Sequence, residues 1–375
     1  MDRVFVEISY NNLKHNLDLI KNITNNKSII CMVKDNAYGL GAVNISKCLS
    51  NEPLVKAFAV ASLSEALQLK TNGVNKNIII ISHIFEDDYF KAINNDFIIT
   101  ISTLEQAKKI NDIAYIFNKT ARLEIGIDSG MGRIGFQLNN DSLDKIKEIS
   151  NFKNVSIFGF FSHFPVADCS LNDLENIKWT DEQEKRFDKF IDEINSINIS
   201  YEDISISNSA GILTKRGTKY SSVRPGIILY GILPNNELNK YDFKPIMQLK
   251  SRIIHIKEVE KNTYISYGKT YITKDKTKIA TISCGYGDGY PRSASNKSFV
   301  IINDKKCRVV GRITMDMLMV DVTDVDCSVE DEVILIGNSK NENITLNELC
   351  EITKEFNYEL LTHINPRVKR VYKDW

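Results

Sequence analysis

The sequence predicts an α/β protein in two parts, an N-terminal (β/α)8 TIM-like barrel followed by a C-terminal mainly β domain, and three observations carry that expectation. The 375 residues exceed what one hydrophobic core usually supports, and 43% of them are hydrophobic, enough to fill two. Between about residues 10 and 235, short β-rich runs alternate with stretches of helical period, the pattern of repeated βα units. Beyond Pro234 strand-like runs follow one another, separated by turn residues.

In chain order, the candidate barrel strands are residues 28–33, 57–60, 77–81, 97–101, 122–127, 156–161, 203–207 and 227–230. Of the intervening helices, one opens at Ser64-Glu65-Ala66-Leu67, and another, over 181–194, sets Phe187, Phe190, Ile191 and Ile194 on one face. The later strands are expected at 247–256, 278–283, 298–302, 307–310, 317–322 and 332–336, with helical period returning at 346–356. The barrel should therefore occupy 10–235, and the β domain 1–9 together with 240–375, across a short polar junction at 234–242.

Lys plus Arg (48) balances Asp plus Glu (48) and the charges are interspersed, so no net field draws nucleic acid or an anionic membrane; a small-molecule partner is favoured. Seven scattered cysteines with no C-x-x-C pair point to a reducing compartment. No leader-like start and no run of roughly 20 apolar residues appears, so a soluble cytoplasmic protein is expected. The five histidines lack H-x-x-x-H spacing, so no metal site is expected, and no phosphate loop of the G-x-x-x-x-G-K-[ST] kind occurs.

In a barrel, chemistry gathers at the carboxyl ends of the strands. There stands Val33-Lys34-Asp35-Asn36-Ala37-Tyr38-Gly39-Leu40-Gly41. Read alone, Lys34 is a rim lysine whose stem packs while its ammonium reaches water. Its functional reading is a Schiff-base lysine, made reactive when desolvation lowers its pKa. Asp128-Ser129-Gly130-Met131-Gly132-Arg133-Ile134-Gly135 follows the fifth run, Ser162-His163-Phe164 the sixth and Asn208-Ser209-Ala210 the seventh, while Arg224-Pro225-Gly226-Ile227 lies in the eighth unit. The later part carries Ser266-Tyr267-Gly268, Gly285-Tyr286-Gly287-Asp288-Gly289-Tyr290-Pro291-Arg292 and Gly311-Arg312-Ile313-Thr314-Met315-Asp316.

Nearly end to end, these segments resemble those of the alanine racemase family, pyridoxal 5'-phosphate enzymes of fold type III. The resemblance implies that Lys34 holds the coenzyme, that Tyr38, Ser209, Gly226 and Ile227 contact its phosphate, and that His163 lies against its ring beside Asn208. Arg224 would face the pyridine nitrogen and Arg133 the substrate carboxylate. It further implies a homodimer with shared sites, in which Tyr267, as the second base, and Tyr286 and Met315, as substrate contacts, complete the partner's barrel. Racemisation needs a base on each face of the α-carbon; Lys34 and Tyr267 would serve, although a lysine or tyrosine in water loses its proton only at a pH of about 10, which the site must lower in effect. An arginine at the pyridine nitrogen keeps its proton, so the ring becomes a weaker electron sink than in many aminotransferases. The glutamate that related decarboxylases place there is absent, and a non-catalytic coenzyme-binding barrel would usually lack the β domain.

Three positions depart from the family. Gly126 stands where a lysine usually braces the substrate-binding arginine, so Glu124 or a bound inorganic anion is expected to steady Arg133 instead. Ser205 replaces a histidine behind the ring-facing arginine. Pro366 replaces a frequent tyrosine, a loss expected to widen the pocket and to make serine or a larger amino acid an alternative substrate.

Overall fold

A computed structural model describes residues 2–374, so Met1 and Trp375, the outermost residues of the expected β domain, lie outside the described residues. Seven barrel strands, Ser28–Met32, Val55–Val60, Asn77–Ile80, Ile98–Ile101, Ala121–Asp128, Val155–Phe161 and Asp203–Ser205, pair in parallel in chain order. Their near-continuous burial is what a parallel sheet covered by helices requires. Ser222–Val223 is the eighth strand and pairs with Ser28–Met32. The barrel is nearly closed: no ladder joins the seventh and eighth strands, but Arg224 N–H donates to Ser207 O at 2.8 Å and Ile204 N–H to Ser221 Oγ at 2.6 Å.

The eighth strand thus differs from the expected 227–230. Ile227–Tyr230 forms a 3-10 turn whose four side chains are all fully buried. Pro225 and Gly226 end the strand early, and the apolar run that reads as β is packed under the Tyr10–Ile23 helix, where Asn16 Nδ2 donates to Leu229 O at 3.2 Å. Tertiary packing overrides local propensity here.

The helices start where caps allow. Ser62 Oγ accepts from Glu65 N–H and opens Leu63–Thr71; Thr103 and Gln106 form a reciprocal capping box at Leu104–Ile116. The Leu174–Ser196 helix buries Phe187, Phe190, Ile191 and Ile194, the face read from the sequence.

The second sheet has nine strands. Its strands Met247–Val259, Thr277–Ile282, Phe299–Ile302, Lys305–Arg308, Leu318–Asp321 and Glu332–Asn338 lie close to the six expected runs. Val4–Ser9 inserts between Met247–Val259, antiparallel, and Lys369–Lys373, parallel. The helical stretch at 346–356 becomes Leu346–Thr353, stopped by left-handed Lys354 (φ +63°), and a further helix, Asn357–Thr362, follows.

Candidate active site

The carboxyl ends of the barrel strands bring Lys34, Tyr38, Arg133, His163, Asn208, Ser209, Arg224 and Gly226 around one cavity. Lys34 enters it because the chain reverses sharply: Asp35, Asn36, Ala37 and Tyr38 all have φ between +52° and +55°, a left-handed turn without glycine. Such a residue costs about 1–2 kcal/mol, strain that persists only where the surroundings impose it, as they tend to at functional sites. Glu65, which the motifs did not single out, supplies the restraint: its two carboxylate oxygens accept Asn36 N–H at 3.2 Å and Ala61 N–H at 2.8 Å. Gly41 is needed for a different reason, since a Cβ there would lie 1.8 Å from Tyr372 Oη. Within the cavity, burial pushes the Lys34 ammonium below its usual pKa, and the positive charge of Arg133 pushes the same way.

Tyr38 is buried, its ring packed against Tyr230 and Tyr358. Burial raises its phenol, which stays protonated as a donor. Ser209 Oγ accepts Gly226 N–H at 2.9 Å, and a Cβ on Gly226 would sit 2.5 Å from Tyr38 Oη. Ile227 N–H has no acceptor among the described residues. Tyr38, Ser209 and Gly226 therefore border one space kept open by glycine, the chemistry of an anion cradle, while Ile227, expected there too, is not among the residues that line the cavity.

Asn208 caps the Ser209–Thr214 helix through Gly211 N–H and donates to Phe164 O at 3.0 Å, with His163 Nε2 at 3.3 Å. Burial first, then the charges of Arg224, Arg133 and Lys34, hold His163 well below its ordinary pKa, so its ring is neutral at pH 7. Arg224 is buried, donating to Ser205 Oγ at 3.0 Å and to Ser162 O. Burial lowers its pKa to about 10, which still leaves it charged at neutral pH. Ser205 thus bonds the arginine directly.

Two expectations are corrected. Glu124 does not brace Arg133, with which it forms neither ion pair nor hydrogen bond; it is buried, bonded weakly to Thr100 (3.4 Å), and the positive charge acting on it most strongly is that of Arg224. Arg133 itself is exposed, on a loop fixed by Asp128 Oδ1, which accepts the amides of Gly130, Met131 and Gly132 at 3.0 Å each. Pro366 likewise stands away from the site residues: it is exposed and lines neither the cavity of Lys34 nor that of Tyr267. The C-terminal aromatic that reaches the barrel cavity is Tyr358, which the motifs passed over because nothing local distinguishes it from a helix-packing tyrosine.

Tyr267, Tyr286 and Met315 line a separate cavity on the β domain and are 70%, 43% and 54% exposed, so one chain does not bring them to Lys34. The loops carrying Tyr286 and Met315 are tied together, Tyr286 N–H to Thr314 O at 3.0 Å and Gly287 N–H to Met315 O at 2.8 Å. Buried Asp288 anchors them, taking Arg3 at 2.6 Å and Arg367 at 2.9 Å, and Arg367 also reaches Asp316 at 2.8 Å.

The family model described as "Alanine racemase, N-terminal domain" matches residues 8–234, and "Alanine racemase, C-terminal domain" matches 246–372. The chain belongs to the alanine racemase family. An alanine racemase of Clostridium novyi is 40% identical over 373 residues, 98% of this chain and 95% of that protein. Among solved structures, the Clostridium difficile 630 alanine racemase superposes with a TM-score of 0.93 at 36% identity, covering all of this chain and 96% of its own. An alanine racemase from Bartonella henselae, solved with covalently bound pyridoxal phosphate, has a TM-score of 0.86 at 26% identity, with both chains covered in full. The barrel cavity around Lys34 and the β-domain cavity around Tyr267 are lined by residues from the segments that resemble this family.

Proposed function

We propose that this chain interconverts L- and D-alanine with pyridoxal 5'-phosphate held at Lys34. The observation that carries the reading is the convergence, in one barrel cavity, of a lysine with a lowered pKa, a cradle of hydroxyl and amide donors, and a buried arginine. The residues fit the coenzyme: the Tyr38 and Ser209 hydroxyls with the Gly226 and Ile227 amides suit a phosphate, neutral His163 beside Asn208 suits a ring face, and Arg224 suits the ring nitrogen. When bound, the coenzyme supplies an electron sink for the substrate's α-carbon.

Lys34, deprotonated more readily than a free lysine, takes or returns the proton on one face of the α-carbon. Tyr267 of a partner subunit serves the opposite face, and its exposure in a single chain supports a homodimer with shared sites. Arg133 takes the substrate carboxylate, while Tyr286 and Met315 close the pocket from the partner's side. Pro366 lies away from both cavities and so does not widen their side-chain end, and alanine is the substrate proposed.

Partners other than substrate and a second copy are not proposed. No described helix is long and apolar enough to cross a membrane, and no described group of three or more His, Cys, Asp or Glu could hold a metal. The reading includes a cytoplasmic location, consistent with seven free cysteines, and D-alanine supply for peptidoglycan.

The test is incubation of the purified protein with L-alanine or L-serine, followed by chiral chromatography. D-alanine formed by the wild type and lost in Lys34→Ala is the expected result; a bound coenzyme with no D-product from either amino acid would overturn it.

A further inference from the structure

Five charged side chains are buried among the described residues: Glu7, Glu124, Asp203, Arg224 and Asp288. Glu7 pairs with Lys250 and Lys373, Asp203 with Lys56, and Asp288 with Arg3 and Arg367. The two left without an ion-pair partner within 4 Å are Glu124 and Arg224, and they are of opposite sign. Every hydrogen-bonding partner of the Arg224 guanidinium is neutral: Ser205 Oγ and O, Ser162 O and His163. A guanidinium enclosed by neutral acceptors needs a counter-charge in the surrounding interior.

Strand register puts Glu124 where it can supply one. On the fifth barrel strand it pairs with Thr100 on one side and Gly159 on the other, and Gly159 pairs with Asp203. Gly126, two residues on, shares its strand face; a Cβ there would lie 3.2 Å from Phe161, and the Arg224 guanidinium is 5.0 Å from that ring's centre. Glu124 therefore lies one layer below the cavity floor. The charged groups acting on it are Arg224 from the eighth strand, Asp203 from the seventh and Lys56 from the second, with Thr100 as its hydrogen-bond donor. Asp203 also acts on Arg224, less strongly than Glu124, and its charge is shared with Lys56, which with the Ser222 hydroxyl takes its Oδ1 and leaves Oδ2 without a partner among the described residues.

We propose that Glu124 is a positioning residue for the coenzyme site, the counter-charge that holds Arg224 through the barrel interior and so sets the field which Arg224 presents to the ring nitrogen. The inference rests on the coenzyme reading above for its second half only. Across more than 4 Å of water-poor interior, a carboxylate acts on a guanidinium without touching it. Because burial raises the Glu124 carboxyl to about 7, its charge changes across neutral pH, and the field at Arg224 changes with it.

Two measurements test this. In coenzyme-free protein at pH 8.5, thermal midpoints are compared for wild type, Glu124→Gln, Arg224→Gln and the double variant. The expected result is non-additivity of about 3 °C or more, with Glu124→Gln shifting the midpoint further upward once Arg224 is gone than while it is present; additive midpoints would overturn the pairing. In holoenzyme, the absorbance band of the bound coenzyme is followed between pH 5.5 and 9. A transition near neutral pH in wild type, kept in Glu124→Asp and lost in Glu124→Gln, is expected; the same titration in wild type and Glu124→Gln would overturn the relay to the ring. If no coenzyme binds, the proposed function fails, while the coenzyme-free cycle still decides whether the two charges are paired.

Discussion

Single atoms decide much at the cavity. Gly226 is needed because any Cβ would meet Tyr38 Oη at 2.5 Å, so Gly226→Ala should push the phenol out of the cradle and weaken coenzyme affinity about tenfold or more, read by absorbance titration of the coenzyme-free protein. Glu124 makes a pH prediction. Its folded-state pKa, about 7, lies above the 4.5 of an ordinary glutamate, so the folded state holds a proton that the unfolded state releases earlier. Stability of the coenzyme-free protein should fall as pH rises from about 4.5 to about 7 and then level off, by about 3 kcal/mol for this group. Chemical denaturation at several pH values checks it: the slope should vanish in Glu124→Gln. The motifs made Lys34, Tyr38, His163, Asn208, Ser209, Arg224 and Gly226 legible because each stands on a short segment whose residue order is distinctive. Glu65, Tyr358 and the true neighbour of Glu124 were not, because each acts on a residue far away in sequence, and only register and packing say which.

Elements differ in legibility for the same reason. Strands such as Ile98–Ile101, β-branched throughout, buried on both faces and bounded by turns, declare themselves, as does the Leu174–Ser196 helix with its one buried face. Ile227–Tyr230 did not, since four apolar residues in a row are compatible with a strand or a buried turn, and the helix packed above them makes the choice. The left-handed turn at Asp35–Tyr38 was equally hidden: none of its residues is glycine, and its shape is imposed by Glu65 from the following βα unit. Glu65→Ala should therefore release the turn. Two backbone amides lose a charged acceptor, for a loss of about 2–3 kcal/mol in denaturant unfolding, and coenzyme attachment at Lys34 should weaken with it. Glu65→Gln, which keeps an acceptor oxygen, should recover part of both; an unchanged Glu65→Ala protein would mean that the turn stands on its own.

At the scale of the molecule, the site is divided. Asp288 gathers Arg3 from the N-terminal segment and Arg367 from near the C-terminus beneath the loops that carry Tyr286 and Met315. Both arginines are about two-fifths exposed and regain water when released, so Asp288→Asn should cost roughly 2–3 kcal/mol rather than the larger penalty of a dry pair. That loss would also loosen walls which, on the proposed reading, serve another subunit. Lys34 and Tyr267 open on separate cavities of one chain, so two subunits must each lend one base if both are to act on one α-carbon. Complementation distinguishes this from a site made within a single chain. Lys34→Ala and Tyr267→Phe homodimers should each be nearly inactive. Unfolded together and refolded as a mixture, they form heterodimers in which one site inherits both substitutions and the other inherits neither. With random pairing, about one site in four is then fully wild type, and roughly a quarter of wild-type activity should return. A mixture no more active than its parents, with heterodimers demonstrated by a tag on one parent, would place both bases in the same chain and require the β domain to swing onto its own barrel.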